Sequence, residues 1–415
     1  MTACGLDFGT SNTTLGVPTA TGAVLAALED GRDTVPSAVF YDRLGDLRIG
    51  RAAVSAYVAG DDGRFMRSLK SVLGTALLDE TTAVGRKRIP FRAVIGDFVA
   101  TVKQRAQADR GTELSRVVMG RPVFFVDEDP AGNAKAQQAL EEIARGAGFS
   151  DVTFQYEPIA AALDYEQQVN HEELALIADI GGGTSDFSIV RIGPALKGKP
   201  DRADDILAND GVRIGGTDFD RQLSLGVVMP LLGYRSPMKQ PGRDVPSAYY
   251  FDLATWSSIN RLYTGKTERE IVEVRRDAAH PALLDRLLKV IEDQRGHTLA
   301  IATEGAKIAL AEEGVAELDL QEVEAGLATS LDRAGLENHT ATLAERVARR
   351  VDVCLKEAGV SADRIDAVFL TGGSTRLAHV RAAILAALPQ ARVVDGDTFG
   401  SVGTGLALEA ARRFG

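Results

Sequence analysis

Hydrophobicity along the chain comes in short bursts, each broken by glycine or by charge. Two of these bursts share one form. Residues 5 to 17 run Gly-Leu-Asp7-Phe-Gly9-Thr10-Ser11-Asn12-Thr-Thr-Leu-Gly-Val, and residues 177 to 190 run Ile-Ala-Asp179-Ile-Gly181-Gly182-Gly183-Thr184-Ser185-Asp186-Phe-Ser-Ile-Val. Each has an apolar lead, an aspartate, a turn of glycines and hydroxyls, then alternating apolar positions. The pattern predicts two β-hairpins with glycine-rich tips. Asp179 follows Asp7 by 172 residues, about the length of a domain, so the chain reads as a duplicated α/β architecture.

Three further segments carry turn or helix signals. Tyr156-Glu157-Pro158-Ile159-Ala160-Ala161-Ala162-Leu163 predicts a helix with Pro158 at its first position, where a missing N–H costs nothing, and Glu157 at its entrance. Ala367 to Leu370 predicts a strand, followed by the turn Thr371-Gly372-Gly373-Ser374-Thr375-Arg376. A helix with Leu377, Val380, Ile384 and Leu388 on one face comes next. Ile214-Gly215-Gly216-Thr217-Asp218-Phe219-Asp220 is another glycine turn, suited to a phosphate or to a hinge.

The hairpin tips suggest a chemistry. Glycine removes the Cβ that would block a ligand, so consecutive backbone N–H groups can converge on phosphate oxygens. The hydroxyls of Thr10, Ser11 and Thr184 add donors. A carboxylate beside a polyphosphate repels it unless a cation stands between, so Asp7 and Asp179 imply Mg²⁺, reached partly through water. Each hairpin taken alone could be no more than a tight turn; the matched pair favours a site. Glu157 is either a solvated cap or a cleft carboxylate that orients water.

Composition narrows the class. The 415 residues exceed one ordinary core and suggest two or three units. An apolar fraction of 45% with 25% charged residues is that of a globular protein. No apolar stretch reaches the roughly 18 residues of a spanning helix. The opening Met1-Thr2-Ala3-Cys4-Gly5 lacks the features of a secretory signal. Cys4 and Cys354 make neither a disulfide framework nor a metal cluster, and a reducing cytoplasm is the expected setting. A net charge of −11 disfavours nucleic acid and anionic membranes as partners.

In order, the motifs Gly-Leu-Asp-Phe-Gly-Thr-Ser-Asn, Val-Pro-Ser, Ile-Gly-Arg-Ala-Ala, Glu-Pro-Ile-Ala-Ala-Ala-Leu, Asp-Ile-Gly-Gly-Gly-Thr-Ser-Asp, Gly-Gly-Thr-Asp-Phe-Asp and Gly-Gly-Ser-Thr-Arg span nearly the whole chain. The chain thereby resembles the ATPase domain of the seventy-kilodalton heat-shock chaperones, in the actin, hexokinase and sugar-kinase superfamily. The resemblance implies a two-lobed actin-like ATPase fold. Its lobes are duplicated ribonuclease H-like α/β units, each with a mixed five-stranded sheet and an inserted subdomain. The first lobe is expected at about 1–172, with its insertion near 36–110. The second is expected at about 173–415, with its insertion near 217–311.

The resemblance also implies roles and ligands: ATP or ADP, Mg²⁺ and K⁺. Asp7 and Asp179 match the metal-side carboxylates. Gly9, Thr10, Ser11 and Asn12 match the first phosphate turn, Gly181, Gly182, Gly183 and Thr184 the second, and Gly215 and Gly216 a further one. Glu157 and Asp186 match groups around the attacking water. Glu304 and Lys307 match ribose contacts and Ile308 the adenine wall, although an ordinary surface ion pair at this spacing would look the same. Gly372, Gly373, Ser374 and Arg376 match the opposite wall, with Arg376 stacking on the base. Asp397 matches another pocket residue.

Three departures accompany the resemblance. A phosphate-facing lysine is expected after Ile49-Gly50-Arg51-Ala52-Ala53, where this chain has Val54. Arg51, Arg64, Arg67 and Lys70 could substitute only if the local backbone moves and otherwise form a solvated basic helix face, fast hydrolysis being the sign that Arg67 or Lys70 replaces the lysine. Ala311 stands where a serine is expected beside the adenine. The motifs run to Phe414-Gly415 without a linker, a peptide-binding domain or a helical lid, so a stand-alone ATPase domain is expected.

The expectation is therefore a monomeric, slowly hydrolysing, chaperone-like nucleotide switch with a protein client or co-chaperone. The alternatives are a small-molecule kinase, betrayed by acceptors that speed ADP formation, and an actin-like filament protein, betrayed by sedimentation with ATP.

Overall fold

The computed structural model describes residues 2–197, 199 and 202–415. The first expected hairpin forms as β1 (Thr2–Phe8) and β2 (Asn12–Thr19), continued by β3 (Gly22–Leu25), with β4 (Thr34–Pro36) also pairing β2. A small antiparallel sheet follows, made of β5 (Ala38–Asp42), β6 (Leu47–Ile49) and β7 (Gly63–Arg67), with α1 (Arg51–Val58) between the last two in sequence. The hairpin of β8 (Thr81–Val84) and β9 (Lys87–Pro90) leads into α2 (Phe91–Arg110). Then β10 (Leu114–Arg121), α3 (Pro130–Gly146), β11 (Asp151–Tyr156) and α4 (Glu157–Glu166) return the chain to the main sheet. Its order is β11-β10-β1-β2-β3, with β10 parallel to β1 and β2 antiparallel to it. The pairing of β4 makes six strands where five were expected, and α4 starts at Glu157, so Pro158 is its second residue rather than its first.

The second expected hairpin forms as β12 (Glu173–Ile180) and β13 (Ser185–Ile192), and β14 (Ile206–Val212) adds to it. All of β12 except Leu174 is buried, the near-continuous burial of a central strand covered on both faces. Residues 217–345 and 376–379 form a separate compact unit. It holds most of α5 (Gly216–Leu223), then α6 (Ala248–Leu253), α7 (Gly265–Asp277), α8 (Pro281–Glu292) and α9 (Gly296–Glu312). The hairpin of β15 (Val315–Asp319) and β16 (Ala328–Asp332) and the first half of α10 (Arg333–Ala358) complete it. This unit opens where the second insertion was expected to start and continues past 311 to Glu345.

The chain then finishes with β17 (Ala367–Thr371), α11 (Ala378–Ala386), β18 (Arg392–Asp395) and α12 (Ser401–Phe414). The order of the second large sheet is β14-β13-β12-β17-β18, with β17 parallel to β12. From β3 to β11 and from β14 to β18, the two sheets repeat one connectivity: an antiparallel meander of three strands, then two parallel strands. That is the fold class expected from the duplicated hairpins. Both sheets lie in one unit, and the 172/173 boundary falls in the connection from α4 to β12 inside it.

The registers repeat as well. Asp7 on β1 pairs Thr14 on β2, and Asp179 on β12 pairs Asp186 on β13. The duplication therefore puts a hydroxyl and a carboxylate at equivalent positions, each seven residues after its signature aspartate. Between the sheets lie α4 and α12. Ile159, Ala161, Val402 and Leu406 share one buried cluster with Ile177 and Phe369 of the second sheet and Val118 of the first. Small residues let the two helices approach: a Cβ on Gly405 would stand 1.7 Å from the Ala160 carbonyl oxygen. This contact fixes the start of α4, and with it Glu157.

Candidate functional site

The two hairpin tips meet. A Cβ on Gly182 would fall 2.2 Å from Ser11 Oγ, and one on Gly183 would fall 2.6 Å from Thr10 Oγ1, so only glycine allows the turns this close. The first turn is braced by the Pro-Ser segment: Ser37 Oγ donates to the Gly9 carbonyl at 2.7 Å, and Ser37 N–H donates to the Ser11 carbonyl at 2.9 Å. The second turn is braced by the other two glycine segments. Gly216 N–H donates to the Gly181 carbonyl at 2.9 Å, and Ser374 Oγ donates to the same oxygen at 3.3 Å. Gly372, at φ +82°, lies against the end of β12, where a Cβ would stand 2.4 Å from the Ile180 carbonyl oxygen.

A narrow cavity of about 70 Å³ opens between the turns. Its lining brings together Asp7, Gly9, Thr10, Ser11, Asn12, Glu157, Asp179, Gly181, Gly182, Gly183, Thr184, Gly372 and Gly373, all expected from sequence. It also includes Lys70, expected only as a fallback cation, and Thr371, Thr398, Phe399 and Val402, which were not assigned to a site. Gly215, Gly216 and Ser374 stand behind the second turn, Asp186 is buried on β13, and Asp397 sits on the loop before α12.

Lys70 overturns one expectation. It is not on a solvated helix face: it is the second residue of a short 3₁₀ turn (Leu69–Val72), its side chain is buried, and its ammonium donates to Glu157 Oε1. The other three cations are on other elements. Arg51 on α1 bonds Glu29, while Arg64 and Arg67 are on strand β7. Val54 sits on α1, outside the cavity lining, whereas Lys70, from another element, is in it. The sequence signal was present: one lysine among Leu69, Val72 and Leu73, directly after the strand residues Phe65 and Met66.

Four carboxylates surround this one ammonium. Burial first, and the Glu157 charge second, push Asp7 up to about 7, with Lys70 pulling the other way. Burial and Glu157 likewise raise Asp186 to about 7. Asp179 stands well above the ordinary carboxylate range through burial and the charges of Glu157, Asp186 and Asp7. Burial opposes the charge on Lys70, yet Glu157 and Asp7 outweigh it and raise its pKa. Asp186 Oδ1 accepts from Val123 N–H at 2.7 Å, and its other oxygen is buried without a hydrogen-bond partner. The site holds more negative charge than its own groups balance.

In the separate unit, Lys307 Nζ pairs Asp220 Oδ1 at 2.8 Å. Ile308 is 54% exposed, and Arg376 pairs Glu312. A larger cavity, about 870 Å³, lies near α3 and the second half of α10. Its charges are partly self-satisfied, Arg350 being bonded to Asp210, and no glycine turns converge on it. The narrow cavity is the stronger candidate because perturbed carboxylates and backbone donors meet there.

A family model described as Hsp70 protein matches residues 80–228 and 289–411, more than half of the chain. The chain belongs to the Hsp70 family. A chaperone protein HscA homolog of Chromobacterium violaceum is 26% identical over 426 residues, covering 98% of this chain and 58% of that protein. A chaperone protein DnaK of Mycoplasmoides gallisepticum is 26% identical over 405 residues, with 96% and 58% covered. An HscA homolog of Neisseria meningitidis is 25% identical over 403 residues, with 92% and 54% covered. This Hsp70-family chain spans a little over half the length of these curated relatives. Among its described residues, no helix is long and apolar enough to cross a membrane.

Proposed function

We propose that this chain binds Mg–ATP and hydrolyses it to ADP and phosphate, acting as the nucleotide-dependent switch of a chaperone-like protein. The observation that carries the reading is the meeting of two equivalent glycine turns around Asp7, Asp179, Glu157 and a single buried ammonium, Lys70. Family membership agrees with it.

The residues fit a divalent cation. Asp179 is buried and Asp7 half-buried; the Glu157 charge disfavours ionisation of both, and that of Asp7 acts on Asp179 as well. Among the described residues, no three His, Cys, Asp or Glu side chains gather at a metal-ligating spacing. One or two carboxylates, with phosphates and water completing the shell, is how Mg²⁺ is ordinarily held. When bound, Mg²⁺ would neutralise phosphate charge and offset these carboxylates.

The chain's own groups divide the remaining work. The N–H groups of the two turns bind phosphate oxygens, and the Thr10, Ser11 and Thr184 hydroxyls add donors. Lys70 sets a fixed positive charge at the cavity floor, where charge develops on the transferred phosphoryl group. Glu157, held rigid by the start of α4, orients the attacking water, and Asp186 supports it. Glu304, Lys307, Ile308 and Arg376 are proposed for the nucleoside end, as the family likeness implies. A monomer in the cytoplasm, acting on a protein client or with a co-chaperone, completes the proposal. Nothing observed favours the kinase or filament readings.

Calorimetric titration with ATP and ADP, each with and without Mg²⁺, tests this. Saturable binding of both nucleotides, strengthened for ATP by Mg²⁺, is expected. The absence of binding heat and of any melting shift at millimolar Mg–ATP would overturn it.

A further inference from the structure

Among the residues lining the narrow cavity, Phe399 differs in kind. Its neighbours are glycines, hydroxyls, carboxylates, Asn12 and Lys70, with Val402 as the one other apolar side chain. Val402 is buried, whereas Phe399 remains 43% exposed. A half-exposed aromatic ring at the edge of a polar cavity offers a ligand there an apolar surface to cover.

The ring is also held in place. Gly372 N–H donates to the Thr398 carbonyl at 3.2 Å, and Thr371 Oγ1 donates to the Asp397 carbonyl at 3.0 Å. Phe399 N–H itself donates to Asp397 Oδ1 at 3.1 Å, fixing the entry to α12. The ring edge rests on the third glycine turn: its Cε1 and Cζ lie 3.5 and 3.7 Å from where a Cβ on Gly373 would stand. The loop therefore presents a fixed apolar surface beside the turns assigned above to the phosphates.

Phosphates have no use for such a surface, being charged and solvated. The part of a nucleoside triphosphate that does is the sugar and base, which carry apolar faces. We propose that Phe399 is a specificity-determining residue for the nucleoside moiety, covering its apolar face while the glycine turns hold the phosphates. This rests on the reading of the cavity as a nucleotide site, and deepens it.

The test compares ATP with inorganic tripolyphosphate, which has the same phosphate chain and no nucleoside. Both are titrated with Mg²⁺ into the wild type, Phe399→Ala and Phe399→Leu, with melting curves as a check on folding. Covering the exposed part of a phenylalanine side chain corresponds to about a five- to tenfold change in affinity. Phe399→Ala is expected to weaken ATP by that factor and leave tripolyphosphate unchanged, with Phe399→Leu in between. Equal loss for both ligands, unchanged ATP binding, or a loss confined to tripolyphosphate would overturn the proposal. Failure of the wild type to bind either ligand would instead overturn the nucleotide reading itself.

Discussion

The Lys70 ammonium is bonded to the Glu157 carboxylate with both side chains less than a tenth exposed. The two residues are 87 positions apart, one on a 3₁₀ turn after β7 and the other at the first residue of α4. Removing one partner of a buried pair leaves the other uncompensated, typically at a cost of about 3–5 kcal/mol. Lys70→Met is therefore expected to lower the melting temperature of the nucleotide-free protein. Loss of one transition-state stabiliser typically slows chemistry by about 10²–10³. Single-turnover hydrolysis by Lys70→Met should fall by that factor, with ATP affinity changed far less, while Val54→Lys should change neither. Unaltered turnover in Lys70→Met would remove the lysine from the mechanism.

The buried carboxylates give the nucleotide-free protein a definite pH dependence. Asp7 and Asp186 titrate near 7 in the folded chain and near 3.8 when unfolded. Between those values the folded state binds more protons, so these groups make stability fall as pH rises toward 7. Asp7→Asn should then stabilise the protein in EDTA at pH 7.5 and have little effect at pH 4. Paired melting curves at the two pH values check this, and an Asp7→Asn effect that grows toward low pH would have the wrong sign.

Metal coupling can be separated from folding at Asp179. Asp179→Asn keeps the shape of the side chain and removes its charge. If the carboxylate acts through Mg²⁺, the substitution weakens Mg–ATP by at least tenfold and leaves metal-free ADP nearly unchanged. Titration of both ligands into both proteins measures the difference. Equal losses would assign Asp179 a purely structural role.

How much of this was visible in the residues depends on range. The hairpins of β1–β2 and β12–β13 were legible because a glycine turn between apolar runs is a local signal, and their shared form carried the duplication. Glu157 was legible from the proline beside it. Lys70 was legible only as a fallback, because a lysine near arginines reads as solvated until β7 and the 3₁₀ turn after it bring it to Glu157. The apolar residues around it were the one local sign of burial. Lys307 also pairs Asp220, 87 residues away, which no local spacing announces. Ser37 was quoted only as part of a motif; its role of holding the first turn through the Gly9 carbonyl needs the paired strands β2 and β4.

The last prediction concerns the helix contact that fixes Glu157. In an exposed helix interior, glycine to alanine stabilises by about 0.5–1 kcal/mol. Gly96, inside α2 with open space where its Cβ would be, should behave that way. Gly405 has the opposite surroundings: its Cβ would meet the Ala160 carbonyl oxygen at 1.7 Å and the carbonyl carbon at 2.4 Å. These are backbone atoms of α4, so no side-chain rotation relieves the clash and the two helices must separate. Overpacking of this kind costs about 1–3 kcal/mol or more, which outweighs the helix-propensity gain. Gly405→Ala should melt below the wild type and Gly96→Ala slightly above it. Because α4 carries Glu157 at its first residue, the shift should also reach the cavity. Hydrolysis by Gly405→Ala is expected to fall at temperatures where the variant is still folded, and Gly96→Ala should keep the wild-type rate. A Gly405→Ala protein with wild-type stability and turnover would show that the contact between α4 and α12 does not set the position of Glu157.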